Sequence, residues 1–542
     1  MTEKVEQPYT GGLNLIAEEL GLHPTTVPDA MNVEFGAGGR IKSRKGDVLA
    51  NTLTPLTAMS ASSRDMYVVE EDVGVAPSVT FQLIFSGGRI YRAHNWANST
   101  ISTVIDVGGY TTSGAYTSTR PIAVAYVDAM VAAPAITKYT VAAFGAYSPP
   151  IAIKSNTTGV TIVTHTDWTA FNGYPSTCAA YSGRMWYAGV DGLPSRLYAT
   201  DVGTFGTFGT ATGADKGFTL DMQLVDGGRI IGMKHLYDML LVFTTRGIYR
   251  IVTDNSTIGF RAIQVTNHVA VSQHAIVEAE NSLYYMTRAG VFKMSTALTY
   301  GDVKSEEVSA PIAPMFEATD EWELSGAFGV YDGSKRRMTF FFQNGYTGLS
   351  GTNPLPNEFT LAEAQNSFVA HGIPIYPYSV STAASFSLRS SNWTYYNWPF
   401  YIDYAVARDR GDGNIAIESY TRKDATTGAI STNTIYEYEL LDPATAVAPT
   451  VPVYARTRKL ISEAIGRRKT RTFIHSYVAV GNPGVRVSFD DGAFTVVDAA
   501  LPTGRSRRAA IGSGTITQFE YYGSGNWEVD AISPDTKMLG RR

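Results

Sequence analysis

The sequence predicts an all-β protein: a β-propeller core built from repeated antiparallel hairpins, with loop insertions and a small C-terminal β-domain. Three observations carry this. The 542 residues include 51 Gly, 32 Tyr and 24 Phe, with only 17% charged. Glycine beside aromatic and β-branched residues is the composition of many short strands joined by tight turns. A strand, a glycine-containing turn and an aromatic-bearing second strand recur along the chain. The recurrence has a soft period of about 40–50 residues, the spacing of propeller blades.

Four hairpins illustrate the unit. Phe81–Phe85 turns at Ser86-Gly87-Gly88 into Arg89–Arg92. Ala180-Tyr181 turns at Ser182-Gly183 into Arg184–Ala188, then Ser195–Ala199. Leu236–Phe243 passes through Thr244-Thr245-Arg246-Gly247 to Ile248–Ile251. Asn281–Met286 passes through Arg288-Ala289-Gly290 to Val291–Met294. Tyr198, Tyr249 and Phe292 are spaced by 51 and 43 residues, and Tyr91 and Tyr436 stand 107 before Tyr198 and 144 after Phe292. A blade cannot bury both faces alone, so its neighbours must stack on it. A row of β-sandwiches with similar turn spacing is the alternative that this pattern leaves open.

The chain divides into three regions. Residues 1–50 read as an extended N-terminal arm, with at most one or two helical turns over Leu15–Leu20, stopped by Pro24 and Pro28. Residues 51–450 read as the propeller. Insertions fall near 95–175, a degenerate blade with long loops, and near 345–390, a proline-rich projection suited to contact. Gly203–Gly217 reads as a flexible loop by composition. Residues 451–542 read as a basic C-terminal β-sandwich-like domain or closing blade. They hold 14 Lys/Arg and 8 Asp/Glu, net +6, whereas the remaining 450 residues are net −11. Within them Val485, Val487 and Phe489 alternate on one strand face, and Phe494 and Val496 return after Asp491-Gly492.

The sequence predicts no enzyme. It contains no zinc-protease His pair, no phosphate-binding Gly-rich loop ending in Lys-Ser/Thr and no nucleophile elbow. No cofactor, no metal site and no catalytic residue is assigned. His23, His94 and His235 read as surface or core-edge residues. Asp409–Asn414 fails the alternating-oxygen pattern of a calcium loop and reads as a turn. Asp238, Asp332 and Glu323 read as turn acids rather than a glycosidase pair. The lone Cys178 reads as a small buried apolar residue. Net charge is −5, so the whole chain carries no nucleic-acid footprint. The N-terminus lacks an apolar signal region and no apolar run reaches bilayer length, so folding in the cytoplasm without a membrane span is expected.

The sharpest local feature is basic: Arg456, Arg458, Lys459, Arg467, Arg468, Lys469 and Arg471, followed by Arg505, Arg507 and Arg508. These are candidate contacts with a neighbouring subunit's acidic faces or with DNA backbone. A solvated strand edge that blocks unwanted pairing is the plain alternative.

Several ordered segments carry a family resemblance. The opening runs Gly11-Gly12-Leu13-Asn14, then Pro28-Asp29-Ala30-Met31-Asn32-Val33-Glu34-Phe35, then Gly38-Gly39-Arg40-Ile41-Lys42-Ser43-Arg44-Lys45-Gly46. The centre has Asp226–Gly232, Asp238–Phe243 and Gly247–Arg250, then Val271–Ile276 and Tyr285–Phe292. Near the end come Arg467-Arg468-Lys469 and Ser488-Phe489-Asp490-Asp491-Gly492. In this order they resemble the tail nozzle (tail tubular protein B-like) proteins of short-tailed bacteriophages. The resemblance implies a virion structural protein of a podovirus-like phage, made in the host cytoplasm and placed in the tail. It implies a propeller-based subunit, usually six copies of which form a hexameric ring below the tail adapter protein. Such a ring lines and gates the DNA channel during DNA ejection and anchors a tail fibre or spike. Double-stranded DNA would pass without sequence specificity, which predicts net acidic loops facing the bore. The runner-up is a carbohydrate-binding or carbohydrate-cleaving propeller, with Trp186, Trp393, Tyr395, Tyr396 and Trp398 stacking on sugars.

Overall fold

Two-residue turns set the local structure. Ser182 and Gly183 take left-handed φ values of 52° and 68°, so Tyr181 pairs directly with Arg184 across a tight hairpin. Glu280 and Asn281, at 47° and 59°, do the same between Ala279 and Ser282. Two further two-residue turns use a second device. Thr244 Oγ1 donates to the Gly247 carbonyl at 2.8 Å and accepts from the Arg246 N–H at 3.1 Å. Thr287 Oγ1 donates to the Gly290 carbonyl at 2.9 Å and accepts from the Ala289 N–H at 3.1 Å. The sequence period between these hairpins therefore corresponds to one turn geometry built twice.

The structure is a computed structural model. It describes residues 9–16, 26–36, 40–44, 46–51, 64–71, 79–86, 89–94, 103–109, 123–130, 136–145, 149–156, 159–164, 168, 173–224, 227–254, 259–296, 303–317, 324, 326–342, 381–398, 402, 404–409, 415–421, 434–441, 453–457, 460–461, 469–490, 492–513, 516–523 and 527–538. Among these the fold is all-β and dominated by antiparallel sheets, with one α-helix, Ala313–Glu317. No helix among the described residues is long and apolar enough to cross a membrane.

Seven sheets have four antiparallel strands each. Six are formed by consecutive strands: residues 64–109, 123–164, 177–221, 230–266, 276–307 and 328–398. The seventh takes Tyr404–Asp409, Ile415–Thr421 and Thr434–Leu441 and is completed by Gly46–Asn51 from the other end of the chain. The first strands of successive sheets pack side by side. Ala123–Met130 meets Thr177–Tyr181, which meets Ile230–Leu236; Ile276–Ala279 meets Phe328–Asp332, which meets Tyr404–Asp409. Tyr404–Asp409 also meets Arg64–Glu71, the first strand of the first sheet.

Four of the interfaces between successive sheets have their own apolar clusters, whereas the interface between the fifth and sixth sheets merges with the core of the C-terminal strands. Met239–Thr244 is buried at every position. Its Leu240 and Val242 pack toward Trp186 and Leu197 of the third sheet. Its Leu241 and Phe243 pack toward Leu283 and Tyr285 of the fifth. Strand alternation sends successive side chains to opposite faces, so a sheet covered on both sides needs a continuous apolar run. Val141 with Met185 joins the second sheet to the third, and Phe328 with Ala405 joins the sixth to the seventh.

The C-terminal strands enter none of the seven four-stranded sheets. One sheet runs Asp29–Met31, Val453–Arg456, Ile516–Gly523, Gly484–Phe489, Thr495–Asp498, with Leu460–Ile461 also paired to Ile516–Gly523. The other runs Gly504–Ser513, Lys469–Val480, Glu528–Met538, Ile41–Ser43, Val33–Phe35. The two share a core of Val33, Ile41, Val453, Val478, Val485, Phe519, Tyr521 and Val529. Ser476 Oγ lies 2.7 Å from the Tyr521 hydroxyl between them.

Two sequence expectations change in detail, and two fall largely outside the described residues. The extended arm expected over 1–50 supplies strands to four sheets, one of them its own parallel pair Gly12–Leu13 with Thr26–Val27, rather than standing apart, because its apolar Val33, Phe35 and Ile41 fill that shared core. The segment 95–175 contains a regular second sheet, in unbroken register from Ala123↔Ala143 to Met130↔Ile136. The projection expected at 345–390 lies outside the described residues up to 380; Ser381–Ser387 then pairs back onto Arg337–Phe342. The helical turns expected at Leu15–Leu20 lie mostly outside the described residues.

The opening motif docks along the outer strand of the sixth sheet. Asn32 N–H donates to the Tyr395 carbonyl at 2.9 Å, and Thr394 Oγ1 donates to the Val33 carbonyl. Gly12 has φ +67°, and a Cβ there would lie 2.7 Å from Asn392 Cβ and 2.9 Å from the Trp393 carbonyl. Both the backbone angle and the close approach require glycine. Gly12→Ala is expected to cost about 2 kcal/mol and to expose the first 30 residues to limited proteolysis under conditions that leave wild type intact.

Candidate interaction site

The described members of the basic cluster fall on two different sheets. Arg456 lies on the six-stranded sheet, whereas Lys469 and Arg471 lie on the five-stranded one. Arg458, Lys459, Arg467 and Arg468 lie outside the described residues.

Register brings Arg456 and Arg486 to Glu520 from opposite sides. Both are direct cross-strand partners of Glu520 on the central strand Ile516–Gly523. Arg456 Nε donates to Glu520 Oε2 at 2.7 Å, and Arg486 Nε donates to Oε1 at 2.7 Å. A second Arg486 contact, Nη2 to Oε1, is 2.6 Å. The Glu520 carboxylate is fully buried. Both guanidiniums also lie against the Phe494 ring, 5.3 and 5.0 Å from its centroid. The charge of Arg456 is therefore engaged inside its own chain. Glu520 and Arg486 were not singled out in the sequence; a carboxylate on an otherwise apolar-aromatic strand, Phe519-Glu520-Tyr521-Tyr522, is the signal that marks them.

The second basic group fares differently. Gly504–Ser513 pairs with Lys469–Val480, setting Arg505 opposite Tyr477 and Arg507 opposite His475. Arg471 stands opposite Ile511 on one side and Lys537 on the other. Arg505, Arg507 and Tyr477 are exposed. Arg508 points the other way and pairs with Asp498. Burial works against the Asp498 charge, but Arg508 and the Ala500 N–H hold its carboxyl below the ordinary value.

A further ordered feature is the loop after Arg196–Ala199. Asp201, 1% exposed, accepts at Oδ1 from the N–H groups of Gly209 and Gly217, and at Oδ2 from the N–H groups of Thr210 and Ala211 and from Thr210 Oγ1. Arg184, also buried, donates to the carbonyls of Thr200, Ala214, Asp215 and Lys216. The glycine-rich run expected to be flexible is thus held by a carboxylate on its donor side and a guanidinium on its acceptor side. Burial alone would raise the Asp201 carboxyl; the hydrogen bonds from Thr210, Gly217, Ala211 and Gly209 outweigh it and hold it far below the carboxylate range.

The aromatics proposed for sugar stacking are mostly unavailable. Trp186, Trp393 and Tyr396 are each at most 1% exposed, and Tyr395 packs against the main core. The side chain of Trp398 lies outside the described residues. Trp186 instead meets Phe218 and Phe260 edge-on at 5.4 Å. Asp332 caps its own turn through Ser334 and Lys335, and Asp238 sits exposed in a hairpin turn. His235 is exposed, at the edge of the core. Glu323, His23 and residues 410–414 lie outside the described residues. Cys178 is buried, its Sγ 3.8 Å from the Val141 carbonyl. Among the described residues no three His, Cys, Asp or Glu come together in a group that could hold a metal ion.

No protein-family model and no curated protein matches the sequence. Solved structures give remote likenesses. An exo-β-1,3-galactanase from Phanerochaete chrysosporium aligns at TM-score 0.22 and 7% identity, over 70% of this chain and 98% of its own. The extracellular domain of a one-component system from B. thetaiotaomicron aligns at 0.36 and 8%, over 91% of this chain and 61% of its own. A glycoside hydrolase aligns at 0.25 and 9%, over 90% and 99%. Likeness at this level carries no argument about fold or function.

Proposed function

We propose that this chain is a structural virion protein of a short-tailed phage, a subunit of the tail nozzle ring below the head-to-tail adapter. On this reading the seven four-stranded sheets are the blades of one seven-bladed β-propeller. Gly46–Asn51 supplies the outermost strand of the last blade, which fastens the ring of sheets with a strand from the opposite end of the chain. The two-sheet body is a rigid attachment on the sixth blade. Copies of the chain, six in the family it resembles, would form the ring, line and gate the DNA channel, and hold a fibre or spike.

The observation that carries the reading is where the resemblance residues lie. Gly12 sets its own short strand against the sixth sheet, and Asn32, Val33 and Phe35 join the two-sheet body to that sheet. Gly247-Ile248-Tyr249 and Gly290-Val291-Phe292 open the third strands of two neighbouring sheets. These are positions that fix the shape of a subunit, which is what a ring component must preserve.

The test is gold-tagged antibody against this chain on particles from the source culture, imaged by electron microscopy. Label confined to a short tail below the capsid is the expected result. Intact unlabelled particles, with the antigen free in the supernatant, would sink the reading.

A further inference from the structure

We infer that the outer face of the five-stranded sheet is the surface by which one copy of this chain grips an acidic surface of the next. The inference rests on the ring reading above and deepens it by naming the contact face. Arg505 and Arg507 stand two residues apart on the edge strand Gly504–Ser513, about 7 Å from each other by strand rise. Both are exposed, as is Tyr477, 42% accessible and directly opposite Arg505. Strand alternation and register place Lys42, Lys469, Arg471 and Lys537 at positions of the same face, together with the acidic positions Glu34, Glu528 and Asp535. Basic positions from four strands therefore outnumber the acidic ones on this sheet face.

Charge complementarity selects the partner. Residues 451–542 carry net +6 and the rest of the chain net −11. Each copy thus offers one basic face and a predominantly acidic remainder, the arrangement of a head-to-tail contact that closes into a ring. Arginine and tyrosine are also the residue types enriched in protein interfaces. Duplex DNA is the weaker candidate, because a chain of net charge −5 repels a polyanion at long range.

The test is sedimentation velocity on the purified full chain over a wide concentration range at low and high salt, comparing wild type with Arg505→Glu/Arg507→Glu. Wild type is expected to self-associate, more weakly as salt rises. The double variant is expected to associate at least about tenfold more weakly, and Arg505→Lys/Arg507→Lys to stay near wild type. Both side chains are exposed, so an unchanged thermal unfolding curve confirms that the variant folds. A wild type that stays monomeric at every concentration, or a double variant that associates equally well, overturns the inference. So does a double variant that loses duplex DNA binding while its self-association is unchanged. The nozzle reading stands or falls separately, on the position of the antibody label.

Discussion

Replacing Glu520 with Gln is expected to cost about 3–5 kcal/mol. The fully buried carboxylate accepts from two guanidiniums that register brings to it from both neighbouring strands. The amide keeps the shape but removes the charge, so Arg456 and Arg486 are left side by side with no anion between them. One of the displaced contacts, Arg486, is itself only 10% exposed at its side chain, and water cannot replace the lost partner without opening the sheet. The loss should appear as a lower urea midpoint for the transition reported by Trp527, which lies in the same core. It should persist at high salt, because a buried pair is screened far less than a surface one. Removing the whole group, Arg456→Met/Glu520→Leu/Arg486→Met, is expected to leave stability near or above wild type, since no charge then remains to be desolvated. A Glu520→Gln protein as stable as wild type would show that the two arginines reach solvent in solution.

The strands and their turns were legible in the sequence, and the long-range pairings were not. Ser182-Gly183 and the two Thr-to-Gly turns announce hairpins because left-handed φ and a short return path restrict which residues fit. The continuous apolar run Met239–Phe243 signals a strand covered on both faces. No local pattern could say that Gly46–Asn51 pairs with Thr434–Leu441, or Asp29–Met31 with Val453–Arg456. Those partners meet only because the chain returns to its start, and each strand looks the same whichever neighbour it finds. The same limit divided the basic cluster: Arg456 and Arg471 are close in sequence but sit on different sheets, while Arg471 and Arg505 share one. Residue type also misled at Trp186 and Trp393, whose rings serve as well in a core between sheets as on a sugar. Composition misled at 203–217, because the groups that order the loop are Asp201 just before it and Arg184 on another strand.

Asp201→Asn should therefore release that loop, at a cost of about 3 kcal/mol. Five donors converge on the two carboxylate oxygens, four of them backbone N–H groups that have no freedom to turn away. An amide nitrogen in place of either oxygen would meet donors and leave at least two of them buried and unsatisfied. Thr210→Ala, which removes one of the five, should cost about 1 kcal/mol. The readout is limited proteolysis: the variant should be cut first within 203–217, a segment that wild type protects. The effect should also depend on pH in a defined sense. The folded carboxyl is held below its ordinary value, so its contribution is complete above the unfolded value of about 4. It is then lost progressively as pH falls through the folded one. The stability gap between wild type and Asp201→Asn should be constant from neutral pH down to about pH 5 and narrow below it. A gap that stays the same width under strongly acidic conditions would mean that the loop is held by Arg184 and by the packing of its Phe205 and Phe208 against Trp168, Tyr187 and Tyr198 rather than by the ionised carboxylate.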